Sequence, residues 1–378
     1  MSSLKKKKVL IIMGTRPEAI KLAPVYQALK SQKQFFDVDI LATAQHREML
    51  DQALLAFGIS AKYDLNVMQH NQDLYDVTAQ SLLGLRDILQ SNKVDCILVQ
   101  GDTTSTFVGA LAGFYQKIFV GHVEAGLRTG DKFSPYPEEV NRRLTSCIAD
   151  FHFAPTEKAR ENLIKENISE QEIVVTGNTA IDSLLWAVKN AKPTFKNFFS
   201  RECLNAIENR FILLTMHRRE SFGQPLLEAL AAVAELAAKH PAISILFPVH
   251  LNPKVRRPVE DILANINNIH LLDPLDYVNF VHLMNRATII MTDSGGIQEE
   301  APSLNKPILV LREVTERPEG ILAGVAKLVG TDRKKIVEEA TRLLTNDSYY
   351  RSMVKISNPY GDGTASAKLV DVLKKRLL

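Results

Sequence analysis

Only three cysteines occur in 378 residues, Cys96, Cys147 and Cys203, and no two of them form a Cys-x-x-Cys pair. An odd number at such distances excludes a disulfide framework and a thiolate zinc site. No apolar run approaches the roughly 18 residues of a membrane span. The basic run Lys5–Lys8 precedes only Val9–Met13 before Gly14-Thr15-Arg16-Pro17, too short a stretch for a secretory h-region. Gly14-Thr15-Arg16-Pro17-Glu18 carries one glycine, so the Gly-x-Gly-x-x-Gly dinucleotide fingerprint is absent, as is a P-loop. There is no Gly-x-Ser-x-Gly elbow for nucleophilic hydrolysis. Neither a His-x-x-x-His nor a Glu-x-x-His pairing suggests a metal centre. The net charge is +3, and no Lys/Arg stripe interleaves with aromatics, which argues against nucleic acid. A cytoplasmic protein without membrane or nucleic-acid partners is the expectation.

What is present reads as an ordinary globular protein, with 46% hydrophobic and 24% charged residues. The length favours two domains. Short β-branched runs alternate with helix-length amphipathic segments. Val9–Met13, Val38–Ala42, Cys96–Val99 and Ile118–Gly121 read as buried strands in the first half. Phe211–Met216, Ile243–Val249, Ile269–Leu272, Thr288–Thr292 and Ile308–Leu311 repeat the rhythm in the second. Helices are expected at Pro17–Ser31, Arg47–Phe57, Thr103–Gln116 and Pro225–Lys239. This alternation implies an α/β fold with parallel sheets covered on both faces. The rhythm slackens between Trp186 and Arg210. The reading is therefore two doubly wound domains, residues 1–185 and 186–359, with a terminal helix in 360–378 completing the first. Ligands are expected where strand C-termini open onto a cleft.

The most informative segment is Thr288–Glu300, where an apolar run meets Ser294-Gly295-Gly296 and then a helix-like stretch. That order leaves unpaired N–H groups at a helix N-terminus, which suits a phosphate. Glu300 follows about one turn later, within reach of hydroxyls beside it. A turn that merely uses glycine for φ > 0 explains the same residues.

Four other strand ends carry polar clusters. In the first, Pro17 suits the first helical position, and Arg16 and Lys21, about a turn apart, are either placed to meet a phosphate-bearing ligand or part of a solvated helix face. Asp102, in Gly101-Asp102-Thr103-Thr104, opens a helix and is either a functional acid or an N-cap. Glu124 sits among small residues, where desolvation raises a carboxyl pKa. Glu138 and Arg142 are spaced i, i+4 and pair as neighbours on one helical face. His217 ends the buried run Phe211–Met216; a satisfied core histidine is the plain alternative for it, and a structural acid for Glu124.

Taken together, these clusters resemble the non-hydrolysing UDP-N-acetylglucosamine 2-epimerases, from Lys7 to Leu378. The matching segments are GTRPEAIK at Gly14–Lys21, TAQHREMLDQ at Thr43–Gln52, GDTT at Gly101–Thr104, GHVEAGLRTGD at Gly121–Asp131, PEEVNRR at Pro137–Arg143 and GNTAIDSLLW at Gly177–Trp186. HRRESFG at His217–Gly223, PVHLNP at Pro248–Pro253, TDSGGIQEEAPSL at Thr292–Leu304, ERPE at Glu316–Glu319 and NPYGDG at Asn358–Gly363 follow in order. The resemblance implies two Rossmann-like domains of the glycosyltransferase-B type, an active site in the interdomain cleft, and a homodimer. It implies catalytic roles for Asp102, Glu124, Glu138, Arg142 and His217. Nucleotide contacts are implied for Arg16, Lys21, Phe280, Ser294, Gly295, Gly296, Glu300 and Arg317. Gln45, Arg218 and His250 match positions where some bacterial members bind a second UDP-N-acetylglucosamine as activator. Two segments depart from the pattern: Leu275 stands where close relatives place a Gln near the uracil, and Met68–Gln72 lacks the Arg-Gln of strongly regulated members.

The implied reaction interconverts UDP-N-acetylglucosamine and UDP-N-acetylmannosamine at C2, supplying precursors of cell-surface polysaccharide without metal or cofactor. UDP is eliminated to give 2-acetamidoglucal and then added back with the proton delivered to the other face. A hydrolysing relative releasing N-acetylmannosamine, a glycosyltransferase, and a non-catalytic sugar-nucleotide sensor are the rival readings.

Overall fold

The computed structural model describes residues 5–43, 47–67 and 72–378. Gln45 and residues 68–71 of the departing segment Met68–Gln72 therefore lie outside the described residues. The chain divides into two compact units, Met1–Ser183 with Gly361–Leu378, and Leu184–Tyr360.

The first unit holds a seven-stranded parallel sheet. Its strands are β1 (Lys7–Met13), β2 (Phe36–Ala42), β3 (Tyr63–Asp64), β4 (Cys96–Gln100), β5 (Phe119–Val123), β6 (Phe151–Ala154) and β7 (Ile173–Val175), in the spatial order β3-β2-β1-β4-β5-β6-β7. The second unit holds a six-stranded parallel sheet of β8 (Phe211–Thr215), β9 (Ser244–Pro248), β10 (Ile269–Leu272), β11 (Ile289–Thr292), β12 (Ile308–Val310) and β13 (Ala326–Leu328), in the order β10-β9-β8-β11-β12-β13. Both sheets are doubly wound. The strand order reverses between β1 and β4 in one unit and between β8 and β11 in the other, which leaves a crevice outside the strand C-termini at each switch.

Strands buried on both faces need continuous apolar runs, and the chain supplies them. Val9–Met13 and Cys96–Val99 are almost wholly inaccessible, as are Phe211–Leu214 and Ile289–Met291. Helix Gln224–Lys239 packs Leu226, Leu230, Val233 and Leu236 onto the core that includes Ile212, Leu214 and Phe247. Their i, i+4, i+7, i+10 spacing makes one apolar stripe. The expected helices appear at Arg16–Ser31, Arg47–Ala56, Thr104–Tyr115 and Gln224–Lys239. The last helix, Ala365–Leu377, lies in the first unit, where Asp182 accepts the N–H groups of Ala365 and Ser366 at 3.3 and 2.8 Å.

Two details fix the switch point of the first unit. A Cβ at Gly14 would sit 2.2 Å from Ser105 Oγ, so only glycine lets the end of β1 approach helix Thr104–Tyr115 so closely. Glu18 then ties the loops together. Its carboxylate accepts Gly14 N–H at 3.0 Å, Thr103 Oγ1 at 2.8 Å and Thr106 Oγ1 at 3.1 Å. Burial pushes this carboxyl up, against the pull of its hydrogen-bond donors.

Candidate functional site

The loops at the C-terminal ends of β4 and β5 carry the acids of the first unit. The strand expected to end at Gly121 continues to Val123, so Glu124 is the first residue beyond it. Glu124 has φ +64°, a left-handed conformation uncommon for a residue with a side chain. The side chain is nearly buried, and its Oε2 accepts from Lys21 Nζ and Gln100 Nε2, each at 2.5 Å. Lys21 is thus drawn to Glu124 in this structure and not presented alone to a phosphate. It leaves helix Arg16–Ser31 beside β1, two strands away from β5 in the same sheet.

Asp102 does not cap the helix that follows it. That role belongs to Thr103, whose side chain accepts from Thr106 N–H. Asp102 faces instead helix Glu138–Ile148, where its Oδ2 accepts Arg142 Nε at 2.9 Å and Arg142 Nη2 at 2.7 Å. The expected Glu138–Arg142 pair does not form. Arg142 spends its remaining Nη1 on Glu139 at 3.0 Å, the i, i+3 neighbour, and Glu138 Oε2 is buried without a hydrogen-bond partner among the described residues. Glu139, fully inaccessible, also accepts from the N–H groups of Thr129 and Gly130. Burial works to raise its carboxyl, but those N–H groups and Arg142 outweigh it and hold it below the usual carboxylate range. Behind the loop, His122 Nε2 meets Gly101 O at 2.8 Å and Asn141 Nδ2 donates to Asp102 O at 3.0 Å. Asp102 is therefore pinned through its backbone and its side chain.

Arg16 stands at the first turn of its helix, half-buried, and its guanidinium makes no hydrogen bond or ion pair among the described residues. A cation left unspent at a strand C-terminus suits an anionic ligand.

In the second unit the Ser294-Gly295-Gly296 turn joins β11 to helix Gly295–Glu300, as its sequence implied. The first-turn N–H groups there have no intrahelical acceptor. Two guanidinium groups flank the turn: a Cβ at Gly295 would lie 3.5 Å from Arg218 Nη2 and 3.9 Å from Arg317 Cζ. Nothing lies within 4 Å of the Cβ position at Gly296. The arrangement has the donors, the charge and the open space that a diphosphate needs. Arg317 is held by Glu299 through its Nε, and Arg218 Nε is buried without a partner among the described residues.

Asp293, fully buried, organises the same corner. Its Oδ2 accepts His217 N–H and Arg218 N–H, both at 2.8 Å, and its Oδ1 lies 3.3 Å from His217 Nδ1. The His217 ring stacks on His250 with centroids 5.9 Å apart. Burial lowers the His217 pKa more than Asp293 raises it, and Arg218 and His250 add to the lowering. His217, Arg218, His250, Gly295 and Arg317 thus form one cluster. Glu300 ends its helix half-buried, and Phe280 is half-buried on helix Tyr277–Arg286, beyond the C-terminal end of β10.

Sequence reading missed Gln100, Glu139, Asp293 and Glu299. Glu139 and Glu299 each stand beside a residue that was singled out, and a single-residue offset on a helix selects a different partner. Among the described residues no group of three His, Cys, Asp or Glu side chains is placed to hold a metal ion, and no helix is long and apolar enough to cross a membrane.

The chain is similar to known proteins along nearly its whole length. The family model for UDP-N-acetylglucosamine 2-epimerase matches residues 27–374. The UDP-N-acetylglucosamine 2-epimerase of Escherichia coli K12 is 52% identical over 371 residues, 97% of this chain and 98% of that protein. The crystal structure of the Neisseria meningitidis UDP-GlcNAc 2-epimerase bound to UDP-GlcNAc superposes with a TM-score of 0.85 at 48% identity, over 98% of this chain and all of that one. A putative UDP-N-acetylglucosamine 2-epimerase from Listeria monocytogenes gives a TM-score of 0.92 at 43% identity, over 99% and 97% of the two chains. The two parallel-sheet domains are of the glycosyltransferase-B type. With a carboxylate–cation array at one switch point and an anion cradle at the other, and likeness running through nearly its whole length, the chain belongs to the UDP-N-acetylglucosamine 2-epimerase family.

Proposed function

We propose that the chain interconverts UDP-N-acetylglucosamine and UDP-N-acetylmannosamine, and that it does so by eliminating UDP and adding it back. The observation that carries the reading is the pairing of two carboxylates, Asp102 and Glu124, with cations at the C-terminal ends of two interior strands of one sheet. The C2 proton of the sugar is not beside a carbonyl, so its direct removal yields no stabilised carbanion. Loss of the C2 proton together with UDP from C1 instead gives a neutral glycal. Return of UDP with a proton on the opposite face gives the epimer. Two faces require two proton-transfer groups, and Asp102 and Glu124 supply them. The leaving diphosphate gathers charge as the C1–O bond breaks, and the N–H groups of the Ser294–Gly296 turn, with Arg218 and Arg317, answer it. His217, its pKa lowered by burial, is suited to donate a hydrogen bond through its ring N–H in the same cluster.

Solvent exchange tests the route. Reaction in D₂O is expected to place deuterium at C2 of UDP-N-acetylmannosamine and of recovered UDP-N-acetylglucosamine. Turnover without deuterium at C2 would refute exchangeable proton transfer, and accumulation of free N-acetylmannosamine would mark the hydrolysing reaction instead.

The nucleotide assignment has its own test. Arg16→Ala and Glu300→Ala are each expected to weaken UDP binding about 10- to 150-fold, the cost of a lost charged hydrogen bond of roughly 1.5–3 kcal/mol. Titration calorimetry showing unchanged UDP affinity in both variants would remove these two residues from the site.

A further inference from the structure

Resting on the assignment of proton transfer to Glu124, we propose that Gln100 and Lys21 are positioning residues that make Glu124 work through one oxygen only, Oε1. Both donors converge on Oε2, at 2.5 Å each, while Oε1 makes no hydrogen bond or ion pair among the described residues. The backbone of Glu124 is fixed in the left-handed region, and its side chain is 7% exposed, so the carboxylate has little freedom to turn its oxygens over. Gln100 is itself buried. It is the last residue of β4, in register with Val123 of β5, which sets its side chain one residue from Glu124 across the ladder. The backbone carbonyl of Gln100 accepts in turn from Thr106 Oγ1 at 2.6 Å.

The chemistry of the two donors differs, and that difference assigns their roles. The Gln100 amide cannot exchange a proton near neutral pH, so it orients Oε2 without competing for the reaction. Lys21 brings the positive charge that offsets the nearly buried carboxylate. With Oε2 occupied from two sides, the proton from C2 has one place to go. Oε1 takes it as the electron pair of the C2–H bond becomes the C1–C2 double bond and UDP departs with the C1–O pair. The reverse step returns the proton from Oε1 to the same face. Glu124 is thereby confined to one face of the sugar, and the other face falls to a different acid.

A positioning role has a signature that general destabilisation lacks. If Gln100 aims Oε1, replacing it slows one face and spares the other, so the partition of the glycal between the two epimers changes. In D₂O at early turnover, the ratio of C2 deuterium in recovered substrate to that in the epimer is expected to shift in Gln100→Leu. The variant's kcat is expected to fall up to about 100-fold, the effect of a small misplacement of a reacting group, with UDP affinity unchanged. Gln100→His restores a neutral N–H of similar reach and is expected to recover both ratio and rate. A wild-type deuterium ratio in Gln100→Leu, with or without a lower melting temperature, overturns the proposal. If Gln100→Leu does not fold, Gln100→Met, which keeps the side chain's length without an N–H donor, is read the same way. Glu124→Gln run alongside separates the two ideas. Full activity in that variant defeats the acid/base reading itself, whereas an inactive Glu124→Gln with an unmoved ratio in the donor variants defeats only the positioning role.

Discussion

Replacing Glu124 by Gln is expected to lower kcat about 10²–10⁴-fold while UDP still binds, the range lost with a general acid or base. Glutamine keeps the length and planar end of the side chain, so it can lie in the same left-handed backbone position. Its carbonyl can still accept from Lys21 and Gln100 where Oε2 now does, and its amide then occupies the place of Oε1. What is lost is one negative charge beside Lys21 and the ability to exchange a proton. The opposing view treats Glu124 as a structural acid that merely neutralises Lys21 beyond the C-terminal end of the sheet. That view makes a different prediction: a lower melting temperature, because a half-buried cation has lost its partner, with kcat nearly intact. Melting temperature, UDP affinity and kcat measured on the one variant separate the two. A folded, UDP-binding Glu124→Gln protein within about fivefold of wild-type kcat would end the catalytic assignment.

The α/β class was legible because parallel strands covered on both faces must be apolar at every position, and Val9–Met13 or Phe211–Met216 stand out against amphipathic helices. The strands that escaped notice lack that property. β6 reads Phe-His-Phe-Ala, with His152 buried in its middle, and β13 reads Ala-Lys-Leu, with Lys327 paired to Glu339. β3 and β7 are only two and three residues long. Such segments become strands because a neighbouring edge is available, which is tertiary information. The strand-end clusters were visible for a local reason: glycine, proline and small polar residues gather where a strand turns into a helix. Partner choice was not visible. Arg142 takes Asp102, 40 residues away, as well as its near neighbour Glu139, and Lys21 takes Glu124, 103 residues away. Those pairings follow from the order β1-β4-β5, which no local spacing encodes.

Acid is expected to destabilise this fold well before its carboxylates titrate, through two histidines that the reaction does not use. His122 and His152 face each other in register across β5 and β6, and each is 1% exposed or less. Burial lowers both, His122 to about 3 and His152 to about 4, with their mutual repulsion and Arg128 adding to the effect on His122 and Arg128 adding to that on His152. In the unfolded chain each returns to about 6.5, so between pH 6.5 and the folded values the unfolded state binds protons that the native state refuses. Stability then rises with pH across that window, is fully present above about pH 7, and drains away as the pH falls toward 4. At 1.36 kcal/mol per unit, each histidine contributes about 2 kcal/mol to the loss by pH 5. Two such sites remove a large share of an ordinary domain stability of about 5–15 kcal/mol. His217, His240 and His270 are lowered as well and act with the same sign, so the test must isolate the buried pair. His122→Gln keeps a donor for Gly101 O, and His152→Phe fills the strand interior without a titratable ring. Urea midpoints measured from pH 7.5 to pH 5 are expected to fall steeply in the wild type and more gently in the double variant. Parallel slopes in the two proteins would show that the buried imidazoles are not what makes the fold acid-sensitive.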